Sequence, residues 1–130
     1  MIQSLISVQS LLRLNRIVAG FIAIILIGGG LTRSLGMSHS QAYDTFHLIA
    51  GVIGAATVFV RSGRFSPAFN IAFGAMDAYQ VPAFALELFP SQVFMLTLAD
   101  TWQHVAIAIV LIGAGVLYFA AARGSAKKES

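Results

Sequence analysis

The hydrophobic residues of this chain fall into four long runs, and the short stretches between them hold most of the polar residues. The runs cover residues 17–35, 42–60, 67–88 and 101–122. Each is close to the ~20 mainly apolar residues that a helix needs to cross a bilayer. None alternates between apolar and polar positions, as the strands of a membrane barrel do. The pattern therefore predicts an all-α membrane protein with four transmembrane helices.

Basic residues mark the ends of these runs and predict the orientation of the chain. Four crossings would put seven of the eight Lys and Arg residues on one face of the membrane: Arg13, Arg16, Arg61, Arg64, Arg123, Lys127 and Lys128. Only Arg33 would lie on the other face, with the acidic Asp44, Glu87 and Asp100. Because cytoplasmic loops carry the excess of Lys and Arg, we expect both ends in the cytoplasm. The membrane would be a bacterial inner membrane or an equivalent energy-transducing membrane.

The two ends of the chain differ from the apolar runs. Four apolar residues near the start follow one helical face, with Gln and Ser between them: Met1, Leu5, Val8 and Leu12. This spacing predicts a short amphipathic helix over residues 1–16 that lies in the interface. Together with the first run it also resembles a signal peptide, which we expect to be retained as the first span. Residues 123–130 are expected to form a cytoplasmic tail.

The composition favours lipid over water as the main solvent. Only 10% of the 130 residues are charged and 58% are apolar, whereas a soluble domain carries roughly a quarter charged residues. The absence of cysteine excludes disulfides, thiolate metal ligands and thiol nucleophiles. The net charge of +3 does not indicate nucleic acid as a partner, because the basic residues stand singly or in pairs at the ends of apolar runs.

The second and fourth predicted helices open with similar residues. Residues 44–47 read Asp-Thr-Phe-His, and residues 100–104 read Asp-Thr-Trp-Gln-His, at an offset of 56 or 57 positions. Both helices would descend from the outer face. The similarity therefore predicts two hairpins, helices one–two and three–four, related as parallel repeats about an axis along the membrane normal.

The same residues resemble a class of small bacterial four-helix membrane proteins of unknown function. In that class an Asn or Asp followed closely by His opens helices two and four. Asp44 with His47 and Asp100 with His104 would take these positions here, and the resemblance covers about residues 17–122. The shorter Asp–His spacing in helix two departs from the pattern. The resemblance implies the four-helix fold and no particular activity.

The Asp and His residues of these openings allow two interpretations. Asp44 and Asp100 can act as helix caps, because a carboxylate at a helix start accepts hydrogen bonds from free backbone N–H groups. The aromatic Tyr43, Phe46 and Trp102 beside them would then lie in the aromatic belt of the outer interface.

The second interpretation is that His47 and His104 are axial ligands of a tetrapyrrole, either haem or chlorophyll. Each lies about one turn inside its helix, so the two imidazoles would reach a similar depth. The small residues that follow on the face of His47, among them Gly51 and Gly54, would leave room for a flat ring. The same residues are equally suited to a close helix–helix contact.

Asp77 is the residue of the third run whose transfer into lipid would cost the most free energy. A lipid-facing carboxylate in mid-membrane is penalised by about 2.5–3.5 kcal/mol, so Asp77 is expected to face the bundle. Gln80 lies on the same face, one turn nearer the outside. A polar pocket of Asp77, Gln80, His47 and His104 would relay protons or bind a small polar ligand. The alternative is a neutral Asp77 that holds two helices together by a hydrogen bond.

The sequence contains no nucleophile–base pair, no phosphate-binding glycine loop and no zinc-ligand spacing. The connection over residues 89–100 is too apolar for water and is expected to lie along the outer interface or on a partner. We therefore predict a non-enzymatic accessory or structural subunit that packs with other membrane proteins, with copies of itself or with lipid. Two alternatives stay open, a tetrapyrrole-binding subunit that uses His47 and His104, and a small proton-linked carrier or channel centred on Asp77.

Overall fold

Every regular element of the chain is helical in the residues that the structure describes. The structure is a computed structural model and describes residues 7–33 and 40–127. The helices are α1 (Val8–Thr32), α2 (Gln41–Phe59), α3 (Ser66–Ala85), the short α4 (Ser91–Phe94) and α5 (Leu98–Ala126). A 3-10 turn at Val60–Gly63 joins α2 to α3. The prediction of an all-α fold is confirmed.

Three of these helices are long and apolar enough to cross a membrane, namely α1, α2 with its following turn, and α5. Their outward faces carry large apolar side chains that are strongly exposed, among them Ile17, Phe21, Ile24, Ile53 and Ile109. An apolar outside is what lipid requires and what water disfavours. These helices indicate an integral membrane protein.

Helix α3 is less apolar on average than the other three long helices because it contains Asn70, Asp77 and Gln80. All three side chains are buried inside the bundle. The polar residues of α3 therefore face the other helices. Helix α3 differs from its neighbours because the face that it turns into the bundle contains these polar side chains.

The four long helices pack as two antiparallel hairpins, α1 with α2 and α3 with α5. Glycines allow the close approach. A Cβ on Gly51 would lie 3.0 Å from the Ile27 nitrogen, and one on Gly115 would lie 2.9 Å from the Pro67 oxygen. Gly54 faces the ring of Phe69. The small residues after His47 therefore serve helix packing, which was one of their two interpretations.

A layer of apolar side chains crosses the middle of the bundle and separates two groups of buried polar residues. We call it the apolar layer: Ala19, Ile22, Leu26, Ala50, Phe69, Phe73 and Leu111. On the side that the predicted topology turns towards the cytoplasm lie Asn15 and Asn70, which we call the inner pair. On the other side lies the outer cluster: Tyr43, Asp44, His47, Asp77, Gln80, Asp100 and His104. Along α3, Phe73 lies about one turn from both Asn70 and Asp77.

The ends of the helices differ from the prediction in three places. Helix α1 runs without a break through Arg16, so residues 8–16 of the predicted amphipathic helix are continuous with the first predicted span. No Gly or Pro interrupts this segment, and its Asn15 side chain is fixed by a bond to Ala114 of α5. Helix α5 continues to Ala126, beyond the predicted start of the tail, and α3 ends at Ala85. Residues 1–6 of the predicted amphipathic helix and residues 128–130 of the predicted tail lie outside the described residues.

The connection between α3 and α5, residues 86–97, is here called the outer connection. Its Phe94 and Leu96 are buried against Tyr43, whereas Phe89, Val93 and Met95 are exposed. Phe94 and Leu96 thus pack against the bundle itself, and the expectation that this segment lies along the interface or on a partner stays a prediction. These two side chains cover the outer end of the bundle.

Candidate functional site

The outer cluster contains every polar residue that the sequence singled out. Asp77 is 1% exposed, Gln80 and His104 are 2% exposed, and His47 is 3% exposed. The side chains of Asp44 and Asp100 are buried in the same outer half. Gln80 donates a hydrogen bond from Nε2 to Oδ1 of Asp77 over 3.4 Å. Helices α2, α3 and α5 each contribute ionisable or polar groups to this site.

Tyr43 is the centre of the cluster, and sequence analysis assigned it elsewhere. Its hydroxyl lies 3.0 Å from Nε2 of His104, and its ring packs edge-on against His47 with the centroids 4.0 Å apart. The carboxyl groups of Asp77 and Asp100 are buried in the same cluster. The predicted place of Tyr43 in an interfacial aromatic belt is wrong. Tyr43 precedes His47 by four residues, a spacing that puts both side chains on one helical face. This spacing could have predicted that Tyr43 belongs to the same cluster as His47.

The N-cap residues of α2 and α5 are Ser40 and Thr97, and among the described residues only Asp100 of the two predicted caps accepts a hydrogen bond from a free backbone N–H group at its helix start. Ser40 caps α2, and its Oγ accepts from the Tyr43 N–H over 3.4 Å. Thr97 caps α5 in a capping box, in which the Thr97 N–H donates to Oδ2 of Asp100 over 2.9 Å. Asp100 is thus the third residue of α5, and Asp44 lies inside the first turn of α2. Both helices begin earlier than predicted because Ser and Thr are available as caps.

These caps also bring the two helix openings into register. His47 follows Ser40 by seven positions, and His104 follows Thr97 by seven positions. The one-residue difference between the Asp–His spacings comes from the aspartates, because Asp44 is the fourth residue of α2 and Asp100 is the third residue of α5. The two histidines therefore lie equally far inside their helices.

Six buried side-chain atoms have no hydrogen-bond partner among the described residues. Five of them belong to the outer cluster: Asp44 Oδ1, His47 Nδ1, Asp77 Oδ2, Gln80 Oε1 and His104 Nδ1. A buried polar group without a partner costs about 1–3 kcal/mol. The site therefore has several donors and acceptors available for a proton, water or ligand.

The inner pair is bonded far more completely. Asn15 Nδ2 donates to the Leu11 oxygen over 2.9 Å and to the Ala114 oxygen over 2.8 Å. Asn70 Nδ2 donates to Oδ1 of Asn15 over 2.8 Å and to its backbone oxygen over 3.1 Å. Only Oδ1 of Asn70 lacks a partner here. Sequence analysis missed this pair, although these are the only two asparagines of the chain.

The geometry does not favour a tetrapyrrole between His47 and His104. Tyr43 contacts both imidazoles, and its hydroxyl is bonded to the Nε2 atom of His104 that an axial ligand would use. A flat macrocycle held by both histidines would have to displace this side chain. Within residues 7–33 and 40–127, no three histidine or carboxylate side chains form a metal site.

The outer cluster is chemically suited to exchanging protons. Carboxyl, imidazole and phenol groups all gain and lose protons, and here they are gathered in one buried site. The apolar layer closes the cluster towards the inner pair, and the contact of Tyr43 with Phe94 and Leu96 covers its outer end. A proton or solute that enters this site is thus enclosed on both sides.

No family model matches the chain, and no curated protein and no solved structure matches it. The resemblance to the class of small four-helix proteins stays a prediction.

Proposed function

We propose that the chain is an integral membrane protein of four spans with both ends on its Lys- and Arg-rich face. The burial of the polar residues of α3 supports α3 as the remaining span. The residues that α3 turns outward, such as Ala72 and Met76, suit lipid, and its 20 residues reach about 30 Å, the thickness of the hydrocarbon core. The basic residues then lie on one side.

Thiol labelling tests this topology, because the chain has no cysteine of its own. The changes Ser62→Cys, Gln92→Cys and Ser125→Cys are at exposed positions. An impermeant reagent added to sealed vesicles should label Ser62→Cys and Ser125→Cys from the inner side and Gln92→Cys from the outer side. Labelling of Ser62→Cys and Gln92→Cys from the same side would mean that α3 does not cross.

We further propose that this protein is a small non-enzymatic carrier whose outer cluster exchanges protons, with Asp77 as the principal group. The observation behind this proposal is the buried carboxyl of Asp77 with Oδ2 unpartnered. An ionisable side chain inside a membrane protein is a functional candidate by default. Here it is accompanied by five more buried ionisable side chains from α2 and α5: Tyr43, Asp44, His47, Asp100 and His104.

The enclosure of the cluster favours a carrier over an open channel. A channel needs a continuous polar path, whereas the apolar layer separates Asp77 from the inner pair. In a carrier the two sides open in turn around a fixed site. Asp77 would take up or release its proton when the cluster is open to water.

A cysteine in the apolar layer tests this mechanism without a known substrate. Ala19→Cys lies at a fully buried position of that layer, and a carrier must expose it to the inner side in part of its cycle. A small impermeant thiol reagent should therefore react from the inner side, and Asp77→Asn should change the rate several-fold because Asn cannot ionise. Ser62→Cys on the inner surface is the control and should react equally in both backgrounds. Failure of Ala19→Cys to react would contradict the carrier proposal.

The second candidate is the accessory subunit. The exposed Phe89, Val93 and Met95 of the outer connection favour it, because contiguous apolar side chains outside the core often mark a contact with a partner. Native electrophoresis in mild detergent should then give a species larger than one chain. A lone monomer would count against this candidate.

A further inference from the structure

A pocket of about 520 Å³ lies between α3 and the outer connection. Four aromatic rings contribute to its walls: Phe46, Tyr79, Phe89 and Phe94. The Tyr79 hydroxyl donates to the Phe89 oxygen over 2.9 Å, which ties the outer connection to α3. The volume is within the ~300–1,000 Å³ of small-molecule sites.

The polar end of the pocket is made by Gln80, which belongs to the outer cluster. Its side chain is 2% exposed, and its Oε1 has no partner. Its Nε2 donates to Oδ1 of Asp77, and Oδ2 of the same carboxyl is also unpartnered. Gln80 Oε1 is thus the free acceptor that the lining offers, and the Asp77 carboxyl lies next to it in the outer cluster. A ligand that fits them must bring hydrogen-bond donors.

The surroundings of the pocket favour a positively charged donor over a neutral one. Its lining contains no Lys or Arg among the described residues. The carboxyl groups of Asp44, Asp77 and Asp100 are buried in the adjoining outer cluster. Aromatic faces attract a cation within about 6 Å. An ammonium group satisfies both the acceptors and these rings.

The pocket opens towards lipid at the level of the outer connection. Met76, Tyr79 and Phe89 on its rim are exposed, whereas the direct outer path to the cluster is covered by Phe94 and Leu96. A ligand would therefore arrive sideways from the outer leaflet, with an apolar body and a polar head.

We propose that this pocket binds the protonated amine of a membrane-soluble amphiphile, with Gln80 Oε1 accepting from its N–H group and Asp77 supplying the negative charge. This inference rests on the proposed carrier function and names its substrate class. An unpaired carboxylate is so costly to bury that it takes up a proton. When R–NH₃⁺ enters, the neutral Asp77 carboxylic acid becomes a carboxylate that balances the charge of the ammonium beside Gln80, and its proton leaves to water. Charge and atoms balance with one cation in and one proton out.

Radiolabelled dodecylamine is a suitable probe for this site. We expect saturable binding of one molecule per chain in nanodiscs, after subtraction of binding to empty nanodiscs. The changes Gln80→Leu and Asp77→Asn should each weaken binding about tenfold or more, which corresponds to about 1.4 kcal/mol. Unlabelled dodecylamine should compete, and dodecanol and dodecanoic acid should compete far less.

Two further variants distinguish a loss of binding from a loss of folding. Phe89→Ala is at a strongly exposed position of the outer connection and should weaken binding several-fold through loss of an aromatic wall. The matched control is Thr45→Ala, at an exposed position on the opposite side of Phe46, and it should leave binding unchanged. Equal competition by dodecanol, or unchanged binding in both Gln80→Leu and Phe89→Ala, would overturn the inference.

The labelling of Ala19→Cys distinguishes the two proposals. If dodecylamine does not bind but that labelling still depends on Asp77, the substrate class is wrong and the carrier proposal stands. If both experiments fail, the carrier proposal is wrong as well.

Discussion

The two groups of buried polar residues in this bundle differ in how fully they are bonded. In the inner pair, Asn15 and Asn70 bond to each other and to backbone oxygens of α1 and α5. In the outer cluster, five buried polar atoms have no partner among the described residues. Both groups lie at the same kind of position, inside a bundle with an apolar outside and on either side of the apolar layer.

This difference distinguishes a polar group that holds helices together from one that is kept for function. Two polar side chains that are hydrogen-bonded to each other stabilise a bundle in lipid, because without that bond each would be an unpaired polar group in hydrocarbon. Unsatisfied groups cost stability, and a chain that retains them gives up stability for an activity. The inner pair therefore links α1, α3 and α5, and the outer cluster is the site to which we assign the proposed function.

The largest effect on stability is expected from Asn15→Leu. This change leaves the Ala114 oxygen and the Asn70 side chain without their partner, and we expect a loss of about 2 kcal/mol in the free energy of unfolding. Unfolding in mixed micelles with increasing dodecyl sulfate, followed by circular dichroism, measures it. The double variant with Asn70→Leu should cost less than the sum of the two single changes. Strict additivity would show that the two side chains do not act as a pair.

A smaller effect of opposite sign is expected from Asp77→Leu. This change removes a buried carboxyl whose Oδ2 has no partner and whose bond to Gln80 is long. We expect a gain of about 1 kcal/mol, the scale of substitutions that trade function for stability, together with loss of Asp77-dependent labelling. The same unfolding titration measures the gain. A loss as large as that of Asn15→Leu would make Asp77 a structural residue and would erase the contrast between the two groups.

The smallest effect is expected from Tyr43→Phe. The change removes the hydroxyl that bonds His104, so stability should fall by about 0.5–1 kcal/mol. Tyr79→Phe is the matched control, because its hydroxyl bonds the Phe89 oxygen at an exposed place, and it should change stability less. If Tyr43→Phe has no more effect than this control, Tyr43 does not organise the cluster.

The helical fold could be predicted from the sequence because lipid imposes a simple pattern. Runs of apolar residues showed the helices, and the cost of burying Asp77 in lipid predicted that it faces the bundle, as it does. The helix starts at Ser40 and Thr97 were less predictable. Asp, Ser and Thr all cap helices, and the sequence offers more than one of them near each start.

The partners inside the bundle could not be predicted from the sequence alone. The bond between Asn15 and Asn70 joins residues 55 positions apart, and the spacing along one helix says nothing about a residue on another. Tyr43 was assigned to an interface because aromatic residues gather there. Its burial depends on Phe94 and Leu96 of the outer connection, and the sequence does not show that this segment folds back over the bundle.

The central claim is that Asp77 in the outer cluster holds and exchanges a proton inside the membrane. Infrared difference spectroscopy between acidic and alkaline buffer, on the protein in nanodiscs, tests it most directly. The account predicts a carbonyl band of a protonated carboxyl that shifts in heavy water, disappears in Asp77→Asn and persists in Asp44→Asn. The same difference spectrum in Asp77→Asn as in the unchanged chain would contradict it.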